Sequence, residues 1–117
     1  MENNALVSLS KAFAVGTINL CDNLKTRKKA SAIISQLLRS GTSIGANVHE
    51  ANYASSKSDF INKFQIALKE CYETDYWLDV FHETGMIGDE KYSEMSSQCS
   101  KIRILLIASI NTAKKNG

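Results

Sequence analysis

Two histidines, His49 and His82, and three cysteines, Cys21, Cys71 and Cys99, are the residues of this 117-residue chain best suited to hold a metal or attack an electrophile. A zinc site needs its ligands in closely spaced pairs, and none of these five residues has such a neighbour. A di-iron carboxylate bundle needs a Glu-x-x-His pair from each of two helices, and the nearest approach is the single half-match Asp79-x-x-His82. There is no Gly-x-Ser-x-Gly elbow and no glycine-rich phosphate loop. These residue types therefore predict no catalytic site, no metal and no cofactor. The cysteines are odd in number and each sits among apolar neighbours at a helical interval, which reads as reduced core thiols in a cytoplasmic protein.

Charge offers a second kind of chemistry. The formal net charge is only +2, so composition alone does not mark a nucleic-acid binder. Distribution says more, because Lys25, Arg27, Lys28 and Lys29 form one dense basic cluster. Three of them fall in the expected first turn of a helix, where the partial positive charge of the helix N-terminus makes basic side chains unfavourable. The cluster reads either as a solvated turn or as a set of phosphate contacts, since side-chain charge and free backbone N–H groups would meet an anion together. Lys114 and Lys115 complement the dipole at a helix C-terminus and read as structural.

A further polar set, Arg39, Asn47, Glu50, Glu70 and Glu73, flanks the core stripes of two helices. Glu70 and Glu73 are placed to accept hydrogen bonds from Arg39 or Asn47, in a structural network or in a ligand site. Tyr72, Tyr76 and Trp77 could stack on bases, but on a helix they read as packing groups.

The elements that position these residues follow from periodicity. Apolar residues recur every three or four positions over 4–24, 28–52, 58–84 and 89–114, and the chain contains no proline. The core stripes are Leu6, Leu9, Phe13, Leu20 and Leu24; then Ile34, Leu37, Leu38, Gly41, Ile44, Gly45 and Val48. The third and fourth are Phe60, Phe64, Ala67, Cys71, Thr74, Leu78 and Phe81; then Met95, Cys99, Ile102, Leu106 and Ala113. Ser56 and Asp59 have the spacing of a capping box, Gly85 stands where a helix C-terminus wants glycine, and Asp89 is placed as an N-cap. Four helices joined by short turns predict an all-α fold, an antiparallel up-down-up-down four-helix bundle, with residues 1–117 as one domain.

Three helices carry apolar residues off their core stripes: Val15 and Ile18 on the first, Trp77 on the third, Ile104 and Ile107 on the fourth. An apolar surplus of this kind predicts self-association. The most apolar stretch, residues 102–110, is too short to span a bilayer and contains Arg103, so no membrane partner is expected.

The run Arg39-Ser40, Ser43-Ile44, Ala46-Asn47 and Glu50, followed by Ser58, Phe60, Ile66-Ala67, Glu73 and Leu78, resembles the bacterial four-helix-bundle family, also called the 23S rRNA intervening-sequence protein family. The likeness covers essentially the whole chain and is most specific in the second and third helices. It departs at Ala51, where the family often has glycine, and in the turn over residues 53–58, less basic than in many relatives. The resemblance implies a small cytoplasmic bundle without known catalytic activity, typically a ring-like homopentamer. A similar protein is the accessory factor of diversity-generating retroelements, which binds nucleic acid and a reverse transcriptase. The expectation is a non-catalytic homo-oligomer that binds RNA or other nucleic acid through Lys25, Arg27, Lys28 and Lys29, or else a scaffold for a protein partner.

Overall fold

A computed structural model of the chain describes residues 4–26 and 30–116. Among these residues there are four helices and no strand: α1 Asn4–Thr26, α2 Ser31–Ala51, α3 Lys57–Glu83 and α4 Asp89–Lys115. They pack as an all-α four-helix bundle in which each helix lies against its neighbour in sequence, and α1 and α4 close the circuit. The molecule measures 48 × 22 × 19 Å, the shape expected when helices of ~40 Å run side by side.

Local chemistry sets where the helices begin and end. The Ser56 hydroxyl accepts from the Asp59 amide at 3.0 Å, while the Asp59 carboxylate accepts from the Ser55 amide at 3.2 Å. This capping box holds the start of α3. At its other end Gly85 adopts φ 78°, and the amides of Met86 and Ile87 both donate to the Phe81 carbonyl, at 2.8 and 3.2 Å. Only glycine takes that left-handed turn without strain, and it lets the chain fold Ile87 back into the core.

Two expected starts are corrected. Gly88, not Asp89, is the N-cap of α4; Asp89 is the first helical residue, and its carboxylate reaches His82 Nε2 at 2.7 Å instead of a backbone amide. Helix α2 starts at Ser31, three residues later than periodicity suggests, with Ala30 as its N-cap. Its first turn therefore contains none of the basic cluster. Arg27, Lys28 and Lys29 lie outside the described residues.

The core follows the four stripes. Phe13, Phe64 and Phe81 are its largest fully buried side chains, with Leu24, Ile34, Leu37, Ile44, Leu78, Ile102 and Leu106 between them. Leu9, Leu38 and Phe60 are partly buried against it. Four hydroxyls are also buried, and each has a partner: Thr17 donates to the Phe13 carbonyl at 2.8 Å, Ser10 to Val7 at 3.2 Å, and Thr74 to the Ser40 hydroxyl at 3.0 Å. Ser40 passes its own proton to the Leu37 carbonyl at 3.4 Å, so the chain of donors closes on backbone.

Candidate functional site

The polar residues singled out from sequence separate into two groups. Arg39 Nη1 donates to Glu70 at 3.2 Å, and its other amino group pairs with Glu73, which also accepts from the Trp77 indole N–H at 3.1 Å. Arg39 holds the Glu73 carboxyl below the usual carboxylate range, with help from Trp77. This network ties α2 to α3, yet the Arg39 side chain remains 46% exposed, so it is a surface clamp. Asn47 and Glu50 do not join it. The Asn47 amide donates to the Ser43 carbonyl of its own helix at 2.9 Å, and Glu50 pairs with Lys63 at 3.2 Å. Helical geometry explains the division: Arg39 and Glu50 are eleven residues apart, ~16 Å along the axis, beyond the reach of one cluster.

The off-stripe apolar residues are at the surface. Val15 and Ile18 on α1 and Ile104 and Ile107 on α4 are exposed, Ile104 by 62% and Val15 by 52%. Trp77 differs: it is half-buried, bonded to Glu73 and packed edge-on against Tyr76 with ring centroids 5.0 Å apart. Tyr72 and Tyr76, expected to be packing groups, are exposed as well. Tyr72 lies beside a half-buried ion pair in which Arg103 donates to Asp75 at 2.8 Å, with the guanidinium carbon 5.8 Å from the centre of the Tyr72 ring. Counting off-stripe positions finds Val15 and Ile104 but not the tyrosines, because tyrosine is equally at home at a surface and in a core.

Other described titratable residues form local pairs. His82 pairs with Asp89 and stacks on Tyr92 with centroids 4.2 Å apart, and the Tyr92 hydroxyl donates to Asp79. Asp79 and His82, the half-match to a metal motif, both bond around the α3–α4 turn. Among the described residues no group of three or more His, Cys, Asp or Glu could hold a metal ion. All three cysteines are buried and unpaired. The Cys99 thiol is pushed up first by its contact with Cys71 and then by burial, and burial raises Cys21 to about 11, so the sulfurs of Cys99 and Cys21 stay protonated and poorly nucleophilic.

Among the described residues three grooves stand out at the surface, the smallest, of about 270 Å³, between α1 and α2 beside Ser10, Gly45 and His49. One, of about 490 Å³, lies between α1 and α4 and includes Gly16, Asn19, Glu94 and Gln98. Another, of about 400 Å³, lies between the start of α3 and the end of α4 and is lined by Lys57, Ser58, Asn62, Gln65 and Lys114 together with Ile61. Lys25, the described member of the basic cluster, is exposed at the last turn of α1. No described helix is long and apolar enough to cross a membrane.

Comparison with known proteins gives the arrangement a family. The model of the 23S rRNA-intervening sequence protein family matches residues 2–108. A crystal structure of a protein of unknown function from Bacteroides thetaiotaomicron, of the S23 ribosomal protein family, superposes with a TM-score of 0.88 at 45% identity, covering 90% of this chain and 97% of that one. No curated protein matches the chain. With the match extending across nearly the whole sequence and the same four-helix architecture in a close homologue, this chain belongs to the 23S rRNA-intervening sequence protein family.

Proposed function

We propose that the chain is a non-catalytic, cytoplasmic bundle that assembles with copies of itself and binds RNA or another nucleic acid, with Lys25, Arg27, Lys28 and Lys29 among its phosphate contacts. The observation that carries the reading is the exposure of Val15, Ile18, Ile104 and Ile107, large apolar side chains placed where neither a monomer's core nor a reaction needs them. Assembly into a ring would multiply each subunit's basic cluster into a polyvalent surface, which lets a chain of low net charge hold a polyanion.

Light-scattering mass on a size-exclusion column, with and without a structured RNA, tests this. The expected result is one species of several subunits that shifts with RNA at low salt and releases it at moderate salt, because phosphate contacts displace counterions. A monomer of the chain mass, 12.9 kDa, indifferent to RNA would overturn both halves.

A second reading has its own observation. Tyr72, Tyr76, Arg103 and Ile104 on the α3–α4 face are the residue types that dominate protein interfaces, and they fit a protein partner such as a polymerase. On that reading, assembly persists but RNA binding is absent.

A further inference from the structure

The antiparallel topology sorts charge between the two ends of the bundle. At the end holding the α3–α4 turn, the last turns of α1 and α3 and the first turns of α4 bring together Asp22, Asp79, Glu83, Asp89, Glu90 and Glu94, all exposed. Against them stand Lys25 and Lys91, and Lys91 is already bound to Glu94 at 3.0 Å. Among the described residues this end therefore sets six carboxylates against two lysines. A phosphate backbone approaching Lys25 therefore meets an acidic surround.

The opposite end, holding the α2–α3 turn, has the reverse balance. Lys57 and Lys63 at the start of α3 converge with Lys114 and Lys115 at the end of α4, against Glu50 and Asp59. Both carboxylates are occupied: Glu50 pairs with Lys63, and Asp59 accepts from the Ser55 amide. Among the described residues this end is basic. Lys57, Lys114 and Lys115 are exposed, and Lys57 and Lys114 face one another across the groove of about 400 Å³ whose walls also offer Asn62 and Gln65. Beside them, in the turn after α2, Tyr53 is 77% exposed. Its backbone amide is held by the Glu50 carbonyl at 2.9 Å, and its ring leans on His49 with centroids 5.5 Å apart, so an aromatic face is presented to solvent on an anchored turn.

Lysines that neutralise phosphates next to an aromatic that stacks on a base make up the usual surface for single-stranded nucleic acid. We infer that this end is a contact surface for single-stranded RNA, with Lys57, Lys114 and Lys115 against phosphates and Tyr53 stacked on a base. The inference rests on the nucleic-acid reading above and moves the main contact away from Lys25 and its neighbours.

The test is fluorescence anisotropy with a labelled single-stranded RNA, comparing the wild-type chain with two charge variants of the ends. The Lys57→Glu, Lys114→Glu, Lys115→Glu variant should lose affinity about tenfold or more, with a salt slope reduced by about one unit per lost contact. The Lys25→Glu, Arg27→Glu, Lys28→Glu, Lys29→Glu variant should change it less. Tyr53→Ala should weaken binding about fivefold or more while leaving the salt slope unchanged, the mark of a stacking contact. Lys→Gln versions of both sets, with unaltered circular dichroism and assembly mass, guard against misfolding. If the second variant loses binding and the first keeps it, the end is wrong but the RNA reading stands. If the wild-type chain binds no RNA, both fall; if heparin competes but Tyr53→Ala has no effect, the surface is a general polyanion site and the inference falls.

Discussion

Helix α1 meets its two neighbours in different ways, and the glycines along the contacts record the difference. On the α2 side the approach is close. A Cβ added at Gly41 would lie 2.8 Å from the Thr17 side chain, and one added at Gly45 would lie 3.1 Å from the Ser10 carbonyl oxygen. On the α4 side a Cβ at Gly16 would meet nothing nearer than Met95 Sδ at 3.9 Å, and the seam opens into the groove of about 490 Å³. Glycine is the same residue with the same helix cost at all three positions, but only on the α2 side does removing the side chain let two backbones approach. At these glycines α1 thus lies closer to α2 than to α4.

The largest effect that would break this comparison is at Gly45. Replacement by leucine, a good helix former, should cost about 3 kcal/mol in denaturant unfolding, because the obstacle is a backbone carbonyl that cannot rotate aside. A neutral outcome would show that α1 can shift freely along α2. Gly16→Ala is the opposite case. With space available and a helical backbone, it should raise stability by about 0.5–1 kcal/mol, and a loss would mean that α4 lies closer to α1 than the groove indicates.

The smallest effect is electrostatic and compares the α2–α3 and α3–α4 seams. Arg39 lowers the pKa of Glu73, so that carboxylate's contribution is present above the ordinary carboxylate range and disappears as pH falls through the depressed value. Asp75 is shifted the other way, raised by burial despite Arg103, so its contribution is full below the ordinary value and is lost as pH rises through the raised one. Glu73→Gln should flatten the acid limb of a stability–pH profile, by about half a kcal/mol or less for so exposed a pair. Asp75→Asn should instead remove a cost that appears on the neutral side of that limb.

Much of the fold is legible in the linear pattern. The stripe Phe64, Ala67, Cys71, Thr74, Leu78 and Phe81 is buried along its length, and Ser56 and Gly85 bound α3 because capping chemistry acts within a few residues. Asp89 shows the limit of that logic: it has the right type and position for an N-cap, but His82 from the previous helix offers its carboxylate a better partner. The polar network was legible only in part. Arg39, Glu70 and Glu73 meet across α2 and α3, whereas Asn47 and Glu50 are satisfied elsewhere, and the identity of those partners depends on how the helices are set against one another.

Lys114 and Lys115 show the same division most clearly. As the last turn of an isolated helix they only complement its dipole, and the turn over residues 53–58 contributes only Lys57. The sequence by itself determined four amphipathic helices, their stripes and most of their ends, since periodicity and capping act over distances of one or two turns. The up-down-up-down order that follows from four helices and short turns also sets residues 53, 57, 114 and 115 at one end and Lys25 at the other. Tertiary structure alone decided which side chains meet there, that Lys57 and Lys114 line one groove, and that Tyr72 and Tyr76 face outward. The reason is physical: charge and exposure sum over everything nearby in space, and in an antiparallel bundle half of those neighbours are remote in the chain.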